Sequence, residues 1–139
     1  MCSSDLIALR KAVSEGVVDG IASHHFPQEY DSKIVEFEYA RPGMSSLETV
    51  YAALRTQLPD LSIERTIDLL SHNARELFGL DQPSIAEGQP ASLSLFDPEG
   101  ETRPSAETSR SKSKNSPFFG KVLKGQVIGI LKGDQFILN

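Results

Sequence analysis

The sequence predicts an α/β chain, and three observations carry that expectation. A helical stretch near the start runs at once into a short apolar segment. Further helical stretches with apolar residues three and four apart occupy the middle. The last third alternates apolar and polar residues, as half-buried strands do.

Ser4 or Asp5 can cap a first helix through Leu6, Ile7, Leu9, Arg10 and Val13, and Gly16 is placed to stop it. Val17 to Ala22 then reads as a short buried strand, which completes the helix–strand half-unit of an α/β fold. From Ser23 to Gly43 the chain is irregular, with Pro27 and Arg41-Pro42-Gly43 as breakers. A loop of about twenty residues is uncommon in a compact domain and is usually functional or disordered. This one carries His24, His25, Phe37 and Tyr39, a composition unlike a disordered linker, so an active-site loop anchored by its aromatics is expected.

Leu47, Val50, Tyr51, Leu54 and Leu58 mark the next helix, with Ser45 or Ser46 as its cap and Pro59 as its end. Ser62 can cap another, whose face is Ile63, Ile67 and Leu70; Arg65 stands where a capping-box glutamate would. A short third helix, residues 73–78, should end at Gly79. Ala91 to Phe96 alternates like a strand, with Asp97-Pro98-Glu99-Gly100 as a turn after it. Residues 101–115 are rich in Ser, Thr, Lys and Arg, which predicts an exposed or mobile loop. Lys121 to Leu131 and Gln135 to Leu138 should pair as a hairpin across Lys132-Gly133-Asp134.

Composition excludes several function classes. The 139 residues carry a net charge of −5 with a pI near 5.2, which argues against nucleic acid, since phosphate binding needs a basic face. The local cations Arg110, Lys112 and Lys114 lie among serines and read as a solvated loop. Cys2 is the only cysteine, so no intrachain disulfide is available, and it has no base nearby to make it a nucleophile. No apolar run approaches the roughly 20 residues needed to cross a bilayer, and residues 1–5 lack the pattern of a signal peptide. A cytoplasmic protein with no membrane partner is the resulting expectation.

Six motifs in order resemble the end of dihydroorotases of the amidohydrolase superfamily. Val18 to Gln28 resembles the family's eighth barrel strand and its Asp-His-x-Pro-His motif. Pro42-Gly43 resembles a substrate-contacting turn, and Gly43 to Thr49 the Gly-x-x-Gly-Leu-Glu-Thr helix start. Ser71 to Arg75 is similar to a Ser-x-Asn-Pro-Ala junction, Glu87 to Leu93 to a Gly-x-x-Ala-Asp-Leu strand start, and Ser111 to Phe118, then Gly125-Gln126-Val127, to the closing segment.

The resemblance implies the C-terminal segment of a metal-dependent hydrolase (β/α)8 barrel plus a few strands of a small β-sandwich. Residues 1–80 would end the barrel, and residues 81–139 would give the sandwich strands, with a mobile loop near 98–116. It implies zinc as cofactor and interconversion of dihydroorotate and N-carbamoyl-L-aspartate in pyrimidine synthesis, with the eighth-strand Asp binding metal and shuttling the proton. Here His24 stands at that Asp position, as catalytic group and metal ligand, and Gln28 replaces the second motif histidine. Gln28, Pro42 and Gly43 would contact substrate.

The other metal ligands of the family lie upstream of the matched region, so this chain should bind no zinc alone and be inactive alone. A split or truncated reading frame is the expected origin. Imidazole can ligate zinc and accept a proton, yet it lacks the carboxylate's charge. Two further readings stay open: a non-catalytic dihydroorotase-like partner of aspartate transcarbamoylase, and an unrelated small α+β binding domain. Self-association through unpaired strand edges is expected of the isolated chain.

Overall fold

A computed structural model describes residues 3–139; Cys2 lies outside the described residues. Helix α1 spans Ser3–Ser14, a 3₁₀ turn over Leu47–Thr49 leads into α2, Val50–Gln57, and α3 spans Ile63–Ile67. A π turn over Asp68–His72 connects α3 to α4, Asn73–Leu77. Strands β1, Ser92–Thr102, β2, Leu123–Lys132, and β3, Gln135–Leu138, form one sheet in the order β1-β2-β3. None of the described helices is long and apolar enough to cross a membrane.

The chain divides into two compact units. The first comprises Met1–Ala22, Leu58–Leu95 and Gly129–Asn139; the second comprises Ser23–Gln57 and Phe96–Ile128.

In the first unit, α1 begins earlier than its capping signals suggest. Ser4 and Asp5 lie inside its first turn, where Asp5 complements the helix dipole, and Gly16 takes the left-handed φ of 82° just past its end. Ser62 does cap α3, its hydroxyl accepting the Arg65 N–H at 3.1 Å. Two separate helices were expected from 62 to 78. Instead Ile67, Asp68, His72 and Asn73 all keep right-handed helical angles, so α3, the π turn and α4 form one helical run.

That run explains why Val17 to Ala22 forms no strand, contrary to the sequence expectation. A strand needs a pairing neighbour for its backbone groups, and here the helix supplies the partners. Arg65, Leu69 and Asn73 recur at spacings of four, on one helical face. Arg65 Nη2 donates to the Val18 carbonyl at 2.6 Å, and Asn73 Nδ2 donates to the Asp19 carbonyl at 2.8 Å. The Ile21 N–H donates to the Leu69 carbonyl at 2.9 Å, within the π turn, where the ordinary carbonyl ladder is shifted. Leu69 and Thr66 are the most deeply buried side chains, with Val13 and Leu61 also buried. The outer faces of α1 remain open: Leu6, Ile7 and Leu9 are exposed.

The hairpin follows its sequence signal. Gly129 pairs with Leu138 and Lys132 with Gln135, antiparallel, which leaves Gly133-Asp134 as a two-residue turn with Gly133 at φ 61°. The β1 expectation needs correction. Asp97-Pro98-Glu99-Gly100 does not turn but continues the strand to Thr102. Pro98 lacks a donor, and β1 lies at the end of the strand order, where one row of backbone groups needs no ladder partner. In the second unit Thr102 Oγ1 donates to the Gly125 carbonyl at 2.7 Å, and a Cβ on Gly100 would lie 2.9 Å from Gln126 Cβ.

Candidate functional site

The second unit holds all the residues singled out as site candidates. From Ser23 to Gly43 the backbone is irregular, as expected, and it is held by one parallel bridge, His25 with Met44. The Phe26 N–H donates to the Met44 carbonyl at 3.0 Å. This bridge brings the His24–Gln28 stretch beside Pro42-Gly43, which are fourteen and more residues away in sequence (Gln28 to Pro42).

Gly43 is the point of closest approach. Its φ of 121° disfavours any side chain, and a Cβ there would fall on the Phe26 carbonyl oxygen and 2.7 Å from Phe26 Cδ1. The same Cβ would lie 3.2 Å from Gln28 Nε2, so Gln28 and Gly43 are immediate neighbours. Gln28 is half-buried; Pro42 and His24 are exposed. Alone among the described non-glycine residues, His24 has a positive φ, 47°. The aromatics expected to anchor this loop do not: Phe37 and Tyr39 are 97% and 71% exposed.

His25, not His24, is the histidine built into the structure. Its Nδ1 accepts the N–H groups of both Ser46 and Leu47 at 3.2 Å, at the start of the helical stretch that leads into α2. Ser45 or Ser46 was expected to be the cap, but neither caps: the Ser45 hydroxyl donates to the Ser113 carbonyl at 3.1 Å and the Ser46 hydroxyl to the Ser23 carbonyl at 2.6 Å. An Nδ1 that accepts two N–H bonds carries no proton, so the neutral ring holds its proton on Nε2. Neither nitrogen is then free to bind a metal. Among the described residues no group of three or more His, Cys, Asp or Glu could hold a metal ion. The described residues thus present no cluster of the three or four ligands a zinc site uses, and His24 would supply one ligand at most.

The closing segment joins the same site, which its composition did not suggest. Asn115 Nδ2 donates to the Gly43 carbonyl at 3.2 Å, and Asn115 Oδ1 accepts the Gln28 N–H at 3.5 Å. Ser113 Oγ donates to the Gln28 carbonyl at 2.5 Å and lies against Asn115 Oδ1. Glu48 Oε1 accepts the N–H groups of Arg110 and Ser111 at 2.8 and 3.0 Å. An open groove of about 780 Å³ runs between Pro27, Gln28, Glu29, Tyr30 and Lys33 on one side and residues 111–115 on the other. His24, Pro42 and Gly43 do not line it.

Elsewhere in the second unit, Tyr51 packs its ring at 4.9 Å from that of Phe96, and its buried hydroxyl finds no hydrogen-bond partner among the described residues. Burial pushes its phenol above the ordinary 10.0; Arg55 opposes this, and Asp97 and Glu99 add to it. Arg55 is itself buried and lies 4.0 Å from the exposed carboxylate of Glu99.

Comparison with known proteins gives this arrangement its relatives. No protein-family model matches the chain. It is 41% identical over 126 residues to a dihydroorotase-like protein of Pseudomonas aeruginosa, which covers 89% of this chain and 30% of the relative. It is 35% identical over 136 residues to a dihydroorotase of Aquifex aeolicus, covering 96% of this chain and 32% of that protein. Among solved structures, dihydropyrimidinase from Brevibacillus agri superposes with a TM-score of 0.80 at 26% identity, over 95% of this chain and 31% of that one. The chain thus spans about a third of the length of the relatives it matches.

Proposed function

We propose, from the premise that this chain matches the C-terminal part of dihydroorotase-type proteins of the amidohydrolase superfamily, that residues 17–43 form one wall of a cyclic-amide hydrolase site. The carrying observation is the likeness to dihydroorotases across nearly the whole chain, together with the seating of Gln28 against Gly43. On this reading the chain is the end of a (β/α)8 barrel with part of a small β-sandwich. The exposed apolar faces of α1 and of residues 30–39 support it, since in the longer relatives further chain is available to cover them.

Gly43 serves the wall through its backbone, because the absence of a Cβ lets the chain approach Gln28. The Gln28 side chain can donate a hydrogen bond to a substrate carboxylate but offers no full charge. Zinc, when bound with ligands from the upstream part, supplies a Lewis acid toward the ring amide. The 139-residue chain alone is inactive on this reading. A dihydroorotase-like activity would use carbamoyl-aspartate or dihydroorotate as substrate.

A second reading is favoured by one specific observation. By the motif resemblance, His24 stands at the position of a proton-shuttling aspartate and Gln28 at that of a histidine. Both losses together suit a non-catalytic dihydroorotase-like subunit that keeps the fold and serves as structural partner of a transcarbamoylase.

A hybrid separates these. The upstream part of the Aquifex dihydroorotase is fused to this chain, either unchanged or carrying His24→Asp and Gln28→His, and carbamoyl-aspartate cyclisation and zinc content are measured. The restored hybrid is expected to turn over, and the unchanged one to be slower by at least about a hundredfold, the usual worth of a positioned proton-transfer group. A folded, zinc-loaded restored hybrid without turnover would sink the wall proposal. Equal rates in both hybrids would remove the non-catalytic reading.

A further inference from the structure

Residues 111–115 alternate strictly in burial. Ser111, Ser113 and Asn115 are half-buried, whereas Lys112 and Lys114 are exposed. A period of two marks an extended segment with one inward face. Inward faces are ordinarily apolar; this one is small and polar, and its side chains bond to the stretches that carry Gln28 and Gly43.

The amide of Asn115 is fixed by its neighbours' chemistry. The Gly43 carbonyl can only accept, so it must face Nδ2; the Gln28 N–H can only donate, so it must face Oδ1. One rigid planar group thereby sets the spacing between the two stretches. Ser113 adds the bond to the Gln28 carbonyl, so both backbone polar groups of Gln28 are held. Ser45, two residues beyond Gly43, closes the arrangement: its N–H donates to the Asn115 carbonyl at 3.4 Å and its hydroxyl to the Ser113 carbonyl at 3.1 Å. Lys114 turns outward and donates to the Ser109 carbonyl at 2.8 Å.

We infer that Asn115, with Ser113, is a positioning residue that sets the distance between Gln28 and Gly43, an inference resting on the proposal that this wall meets substrate. It touches no reacting atom itself. Its substitution therefore acts on how well the wall is formed, and on substrate affinity before turnover.

The test uses the 139-residue chain first. Amide hydrogen exchange is followed by NMR in the unchanged chain and in Asn115→Ala and Asn115→Asp. The alanine variant is expected to exchange the Gln28 amide about tenfold faster, the loss of one hydrogen bond, while the Ile21 and Arg65 amides keep their rates. Aspartate keeps an acceptor for the Gln28 N–H but sets a second oxygen against the Gly43 carbonyl. It should leave Gln28 protected and shift the Gly43 carbonyl carbon resonance. In the restored hybrid, Asn115→Ala should raise KM for carbamoyl-aspartate about tenfold and lower kcat much less. An unchanged Gln28 exchange rate, or equal acceleration at every amide, overturns the inference. If no hybrid turns over, the function proposal fails, while the exchange rates still decide whether Asn115 positions the wall.

Discussion

Replacing Gly43 by alanine probes the wall at its tightest point. Two costs combine there. The left-handed φ of 121° penalises any L residue by about 1–2 kcal/mol. The new methyl would also fall on the Phe26 carbonyl oxygen and 2.7 Å from Phe26 Cδ1. The ring is exposed and can swing away, but the carbonyl belongs to a backbone pinned by the 3.0 Å bond from the Phe26 N–H to Met44. Forced displacement of that kind costs about 1–3 kcal/mol. Gly133→Ala provides the control, because Gly133 has φ 61° and nothing within 4 Å of its would-be Cβ. It carries the backbone cost without the clash. With a urea slope of about 1.5 kcal/mol per molar, Gly43→Ala should lower the unfolding midpoint by about 2 M and Gly133→Ala by about 1 M. Far-UV circular dichroism against urea reads both. Equal midpoints, or a smaller loss at Gly43, would refute the argument that the backbone approach at Phe26 is rigid.

Two further outcomes follow from the same unit. His25→Ala strips the acceptor from the Ser46 and Leu47 N–H groups and should cost about 1–2 kcal/mol, as loss of a helix cap does; His25→Asn should recover at least half, and an unchanged midpoint in the alanine variant counts against the cap. For Tyr51 the sign is set by the folded chain, which holds the phenol proton more tightly than the unfolded chain does. Its contribution is thus intact below 10.0 and is lost as pH rises above that value. Tyr51→Phe should flatten this alkaline loss and, by removing a buried hydroxyl without a partner, gain about 1 kcal/mol near neutrality. Identical alkaline slopes in the two chains would place the loss elsewhere.

What could be read from the sequence depended on how local the determinants are. The Gly133-Asp134 hairpin and the Ser62 cap are set by residues within a few positions, and both stand in the structure. Val17 to Ala22 has a strand's composition, but its partners are the side chains and carbonyl of a helix more than forty residues away. The Asp97 to Gly100 turn signal fails for a related reason. Asp97 Oδ1 does accept the Glu99 N–H at 2.9 Å, yet the strand order lets the chain carry on past Pro98. At the site, the nearness of Gln28 to Gly43 was legible only through motif resemblance. His25 as a helix cap and Asn115 as a clamp were not legible, because each acts across twenty to ninety positions through a single polar group. The Ser-Lys-Ser-Lys-Asn alternation has an extended segment's period of two, but it falls on small polar and charged residues, where such a period does not by itself mark an inward face.

The left-handed backbone at His24 has an evolutionary consequence. Few side chains tolerate that conformation, and asparagine, aspartate and histidine are the ones found there several-fold more often than others. If the ancestral residue was aspartate, the backbone permits exchange between the two residues in either direction, and their codons differ by one base. A change between the two residues at this position would then be a shallow, reversible step, open to back-mutation for as long as the surrounding scaffold persists.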